Sequence, residues 1–234
     1  MAASSETEPS ELLDVVDATG VWLGTATRAE VHAKGLWHNV FHCLIARSND
    51  PARVVLQRRH SKAKGFPNKI DFSATGHLVA GEKPIDGIRE LAEELGVIVE
   101  PSQLVEAGVR LLADDSGEGR NRERIHLFFL TDDRPLDAFE PSHDEVSGLV
   151  EIEIGQLLRL VENYFTDPTT AAPITEWSLA GTPVASELLA NELVPPADSY
   201  WVTALIAAQR YAQNERPLGT VSYTHLTLPT TPYV

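Results

Sequence analysis

Between Gly76 and Val97 the chain reads Gly-His-Leu-Val-Ala-Gly-Glu, then six residues, then Arg-Glu-Leu-Ala-Glu-Glu-Leu-Gly-Val. Ile88, Leu91, Ala92 and Leu95 recur at i, i+3, i+4 and i+7, a single apolar stripe at helical period. Pro84 suits a first turn, Asp86 opposes the positive start of a helix, and Gly96 follows the last periodic residue as a stop. The spacing predicts a loop followed by a helix that buries this stripe and carries Glu90, Glu93 and Glu94 off it. Carboxylates one turn apart repel by about a few tenths of a kcal/mol per pair, so a cation is expected among them. Arg89 reaches Glu93 at i+4, and a hard divalent cation takes carboxylate oxygens as ligands. The alternative is a solvated acidic face with no chemistry.

The flanking residues decide between these. Gly76, Glu82, Arg89, Glu90, Leu91, Glu93, Glu94, Gly96 and Val97 resemble the Nudix box, in which a glycine, five residues and a glutamate precede seven residues and R-E-U-x-E-E-x-G-U, with U aliphatic. Here six residues separate Glu82 from Arg89, and the intact register from Arg89 onward places the deletion between Lys83 and Gly87. The resemblance implies an α/β fold, a Nudix α/β/α sandwich around a mixed β-sheet. It also implies a hydrolase that cleaves a diphosphate linked to another moiety. Mg²⁺, with Mn²⁺ as the alternative, would be held by Glu90, Glu93 and Glu94 and by the Gly76 carbonyl. Arg89 would orient the glutamates and Glu82 would support the site.

Ahead of the box, Leu12 to His42 resembles the leading segment shared by isopentenyl-diphosphate isomerases and a related branch of Nudix hydrolases, where a hairpin and a helix lead into the first core strand. Asn39 to Ala46 is expected as that strand, with Val54 to Arg58 pairing back on it after a turn at Asn49-Asp50-Pro51. Arg58 and Arg59 end the second strand and are candidates for substrate phosphate, or simply solvate its end. The isomerases carry a cysteine immediately before the Gly-His of the box strand. Thr75 stands there in this chain, and its hydroxyl is a far weaker acid or base than a thiol. His38 and His77 stand where isomerase-like metal ligands are expected, and Glu123 lies near the region that supplies a carboxylate. Each also has a reading as a plain hydrogen-bonding or strand-edge residue. His42 and His126, inside apolar runs, are expected as core histidines. Ser142 to Leu149 resembles an acidic loop and strand over the active site, which makes Glu145 a candidate metal ligand or base, or a cap without chemistry.

The rest of the chain supports one such domain with additions. Of 234 residues 43% are hydrophobic, and no apolar run is long enough to span a membrane. The formal charge of −15 disfavours nucleic acid as the main partner, though not a phosphorylated small molecule bound through a metal. A single cysteine, Cys43, permits no internal disulfide and suits a cytoplasmic setting. Met1 to Glu11 reads as a disordered leader, residues 12–163 as the Nudix hydrolase domain, and residues 164–219 as a C-terminal helical extension. In that extension Thr166 to Pro173 reads as a linker, Glu187 to Leu193 as a short helix and Tyr200 to Gln213 as a longer one, docking on the core or on a second subunit of a homodimer. Residues 220–234 resemble the translation of a sequencing adapter and are set aside as an artefact. The leading functional expectation is the hydrolase; an isopentenyl-diphosphate isomerase-like enzyme and a non-catalytic Nudix-derived binding module are the alternatives.

Overall fold

Period-two alternation builds the core. In β3 (His38–Ala46) Phe41, Cys43 and Ile45 point to one face, while Leu44 and Ala46 point to the other. β4 (Arg53–Arg59) divides in the same way, Val54 and Leu56 against Val55, as does β8 (Asn121–Thr131), Leu127 and Phe129 against Phe128 and Leu130. A sheet apolar on both faces needs a layer on each, and the computed structural model of the chain supplies both. It describes residues 11–115, 120–196 and 198–215. The adapter-like tail and all but the last residue of the expected leader lie outside the described residues.

Among the described residues eleven strands join in one sheet. β1 (Leu12–Val16) and β2 (Trp22–Thr27) form the expected hairpin, followed by α1 (Arg28–Lys34), which Gly35 ends at φ 64°. β3 pairs antiparallel with β4 at Ile45 and Ala46. The stretch leading into the box is bent into β5 (Ile70–Asp71) and β6 (Ala74–His77). At the bend the buried Ser73 hydroxyl donates to the Val55 carbonyl and accepts from the Ile45 N–H, satisfying groups the ladder leaves open. β6 pairs with β3, and β7 (Val105–Asp114) pairs with β8, which lies parallel to β3 along its whole length. The other pairings are antiparallel, so the sheet is mixed. β9 (Val146–Glu153) pairs with β4 and with β10 (Ala171–Trp177), which pairs with β11 (Val184–Leu189), and the path β11-β10-β9-β4-β3-β1-β2 follows.

The box forms a 3₁₀ turn, Pro84–Ile88, that runs directly into α2 (Arg89–Leu95), closed by Gly96 at φ 67°. Leu91 and Leu95 bury on the face carrying Phe41, Cys43 and Ile45. α3 (Ile154–Asn163) and α4 (Tyr200–Ala212) cover the opposite face, which makes the α/β/α sandwich. α4 docks on this same chain: Trp201 lies 4.5 Å from the ring of Phe72, and the Tyr211 hydroxyl accepts from Thr131 at 2.9 Å.

Two expectations for the C-terminal part fail. Ala171, Ala172 and Pro173, read as linker, begin β10 (Ala171–Trp177), and the expected helix from Glu187 instead continues β11 (Val184–Leu189) and ends in a 3₁₀ turn, Ala190–Glu192. Leu188 and Leu193 are fully buried by this arrangement, and that burial overrides the helix propensity of Glu-Leu-Leu-Ala. Pro173 lies outside the stretch of β10 that β9 pairs, so its missing N–H leaves that ladder intact.

Candidate active site

α2 and β6 bring the box residues to one wall of a cavity of about 620 Å³. Glu90 and Glu94, one turn apart on α2, are each only 8% exposed. Gly76 is required by space: a Cβ there would lie 1.9 Å from Glu90 Oε1. Glu94 Oε2 accepts from the Thr75 N–H at 2.9 Å and from the Gln57 amide at 3.0 Å. Arg89 ties the rest together. It reaches Glu82 Oε1 at 2.7 Å, Glu90 Oε1 at 2.7 Å, Glu93 Oε2 at 2.8 Å and the His77 carbonyl at 2.8 Å. Glu82 also accepts from the Val79 N–H at 2.8 Å, so the spacing shortened by one residue still leaves it in reach of the helix. Glu93 is half exposed and committed to Arg89.

The electrostatics follow from burial. Desolvation pushes the Glu90 carboxyl up to about 7, against the pull of Arg89 and with the help of Glu93 and Glu145. Desolvation likewise holds Glu94 well above the usual carboxylate range, partly offset by the Thr75 N–H. Because Glu90 titrates higher in the fold than in the unfolded chain, its contribution to stability is full below about pH 4.5 and lost as pH rises through about 7. His38, His77 and His126 are lowered by burial and act with the opposite sign. Glu90→Gln isolates the carboxylate: without divalent cations its Tm should exceed that of the unaltered chain by a margin that grows from pH 4.5 to about 7. A margin constant across that range would show that the fold does not disfavour the Glu90 charge.

The second cluster is histidine. His38 starts β3 and His77 ends β6, and the register Val40↔His77 sets the two on one face. Their rings stack with centroids 5.1 Å apart, and His32 of α1 meets both edge-on at 5.1 Å. One donor atom from each can be chosen so that all three lie within 4.8 Å of one another; among the described residues no other trio of His, Cys, Asp or Glu does this. His38 Nε2 is buried without a hydrogen-bond partner, and burial lowers all three rings, most of all His77, to about 2. His38 Nδ1 lies 3.0 Å from the Leu36 carbonyl, which leaves its Nε2 lone pair free, while the Nε2 atoms of His32 and His77 lie 3.1 Å apart; neutral imidazoles suit a transition metal. Glu123 lines the same cavity, accepts from Asn121 at 2.8 Å and is raised by desolvation. Sequence reasoning missed His32 as a member of this group, because only tertiary packing brings α1 against β3 and β6.

The remaining candidates separate. Glu145 is exposed and lines the cavity, and its backbone carbonyl accepts from the His60 N–H at 2.9 Å. Arg59 also lines it but is paired with Asp71 at 3.0 Å. Arg58 does not line the cavity. It binds Glu176 at 2.8 Å, Glu192 at 3.1 Å and the Asn68 carbonyl at 3.2 Å, tying β4 to β10 and to the turn after β11. Arg58→Ala should therefore cost roughly 2 kcal/mol of stability, as thermal melts would show. His42, expected in the core, is on the cavity wall, where its Nδ1 lies 3.1 Å from the Tyr200 hydroxyl. His126 is buried, with Nε2 3.1 Å from Asn39 Oδ1.

Comparison with known proteins bears on the family and the fold. Residues 36–177 match the NUDIX domain family model. An uncharacterised Nudix hydrolase of Clostridium acetobutylicum is 36% identical over 154 residues, 65% of this chain and 75% of that protein. An isopentenyl-diphosphate Delta-isomerase of Streptomyces coelicolor is 31% identical over 160 residues, 67% of this chain and 78% of that protein. A crystal structure from Deinococcus radiodurans shares the fold at 20% identity, with a TM-score of 0.51 over 65% of this chain and 89% of that one. With the box, the sandwich and these relatives in agreement, the chain belongs to the NUDIX family, as an enzyme of its hydrolase class.

Proposed function

We propose that the protein is a Mg²⁺-dependent hydrolase of a small molecule in which a diphosphate is linked to another moiety, with Mn²⁺ as a substitute cation. One observation carries this reading. Glu94 is buried in the cavity wall, where it accepts from two neutral donors and forms no ion pair among the described residues. A carboxylate placed so is costly unless a cation joins it. The donor set fits a hard dication: Glu90 and Glu94 supply oxygens, Gly76 leaves room beside them, and Glu93, three residues after Glu90, lines the same cavity. When bound, the cation supplies charge neutralisation on the phosphate oxygens and lowers the pKa of water. Arg89 holds Glu90 and Glu93 in place and is itself held by Glu82. Glu145, at the exposed edge, is the carboxylate available to accept a proton from the attacking water.

A second reading, isomerase-like proton transfer on a five-carbon diphosphate, is favoured by the histidine trio, whose His77 lines the same cavity as Glu123. Thr75 opposes it, since neither its hydroxyl nor the buried Cys43, whose thiol burial pushes far above its usual range, is a competent acid at neutral pH. Mg²⁺-dependent assays against nucleoside, sugar and isoprenoid diphosphates, reading phosphate products and alkene position together, separate the two. Hydrolysis is expected. Isomerisation without hydrolysis would overturn the first reading, and neither reaction in a folded, metal-binding protein would favour a binding module. No helix among the described residues is long and apolar enough to cross a membrane, which fits a substrate met in solution; a homodimer is part of the same proposal.

A further inference from the structure

Phe66, Phe72, Tyr200 and Trp201 line the cavity, and exposure separates the first from the rest, Trp201 being only 4% exposed. Phe72 is 1% exposed and stacks in the core on Tyr200, with centroids 5.0 Å apart. Trp37 is half-buried, and Trp22, although exposed, donates to Asp14 at 2.9 Å on the hairpin and does not line the cavity. Phe66 is different: it is 50% exposed, lines the cavity and has a φ of 50°. Among the described residues, it alone of the large exposed hydrophobic side chains lines this cavity.

Folding gains little from this placement. A bulky side chain at left-handed φ is disfavoured, and an exposed phenyl ring recovers little of that cost through burial. The surrounding loop nevertheless fixes it. Arg59 Nε donates to the Gly65 carbonyl at 3.0 Å, Arg58 to the Asn68 carbonyl at 3.2 Å, and the Lys69 N–H to the Phe66 carbonyl at 3.3 Å. The Lys69 ammonium is anchored on the Asn191 carbonyl, and the His60 N–H on that of Glu145. Lys62 and Lys64, in the same loop, line the cavity and make no ion pair among the described residues. Strain held in place by several independent bonds at a cavity edge is the pattern of a ligand clamp.

We propose that Phe66 is a specificity-determining residue, a fixed platform on which a planar ring in the non-phosphate part of the substrate stacks. A flat heteroaromatic group suits the cavity better than an aliphatic chain. The lining includes Asp114, Asn121, Glu123 and Asp198, and an aliphatic occupant would displace water from such groups without replacing its hydrogen bonds. This inference rests on the hydrolase reading for the identity of the site, but its test does not depend on turnover.

AMP and ribose 5-phosphate share a phosphosugar and differ by the ring, so their affinities for the full chain in Mg²⁺ isolate the stacking contribution by calorimetry. The unaltered protein should prefer AMP by roughly tenfold or more. Phe66→Gly should abolish the preference with no loss of Tm, because glycine is at ease at this φ, while Phe66→Trp should retain it. Isopentenyl diphosphate should bind the unaltered protein and Phe66→Gly equally. No preference in the unaltered protein, or a preference that survives Phe66→Gly, overturns the proposal; so does a lowered Tm with the preference unchanged, which would mark a structural residue. Ring-dependent binding lost in Phe66→Gly without hydrolysis of any diphosphate would uphold the platform and overturn the hydrolase reading alone.

Discussion

Gly76→Ala is expected to remove most of the activity while leaving the fold standing. The added methyl would lie 1.9 Å from Glu90 Oε1 and 2.0 Å from its carboxyl carbon. The atoms it meets belong to the far end of a flexible side chain, so the clash is relieved by swinging the carboxylate away and the strand need not move. β6 keeps its pairing with β3, since Gly76 takes no left-handed conformation that alanine would resist. Glu90, however, leaves the place that Arg89 and α2 hold for it. A displacement of about 1 Å at a reacting centre costs on the order of 10²-fold in rate, and kcat/KM should fall by at least that much with Tm within a few degrees. Near-normal turnover in Gly76→Ala would mean that Glu90 holds no cation in catalysis.

Glu94→Gln is expected to lower turnover by about 10²- to 10³-fold, the range seen when one electrostatic contact to a transition state is lost. The amide keeps the volume and can still accept the Thr75 N–H, so the local structure survives. Charge is what disappears. Because burial already disfavours the ionised form of Glu94, its neutral replacement should leave the metal-free Tm unchanged or raise it, while the concentration of Mg²⁺ needed for half-maximal stabilisation rises. Lost activity together with lost metal-free stability would point instead to a packing role. Full activity would remove Glu94 from the cation site.

Much of this was legible in the sequence because its signals are local. The stripe Ile88, Leu91, Ala92, Leu95 and the stop at Gly96 specify α2 through contacts within a few residues, and α2 is found there. The alternation in β3, β4 and β8 is equally local, and the box spacing carried the family resemblance from which the sandwich was expected. Arg89 could be assigned to Glu93 because i and i+4 share a helix face.

What failed or was absent depended on partners distant in sequence. Glu187 to Leu189 has helical propensity, but β10 offered an antiparallel partner and a buried place for Leu188. Arg58 and Arg59 look alike in sequence; alternation along β4 turned Arg58 toward Glu176 and Glu192, and Arg59 toward the cavity and Asp71. His32 joined His38 and His77 only when α1 packed beside two paired strands. The sequence by itself determined the helix of carboxylates, the alternating core and the family, because each is written in spacings of a few residues. Tertiary structure alone decided which carboxylates are buried, which histidines converge and which aromatic ring on the cavity wall stays exposed. Those depend on which surfaces meet, and burial sets both the charge cost of Glu90 and Glu94 and the groups left to receive a ligand.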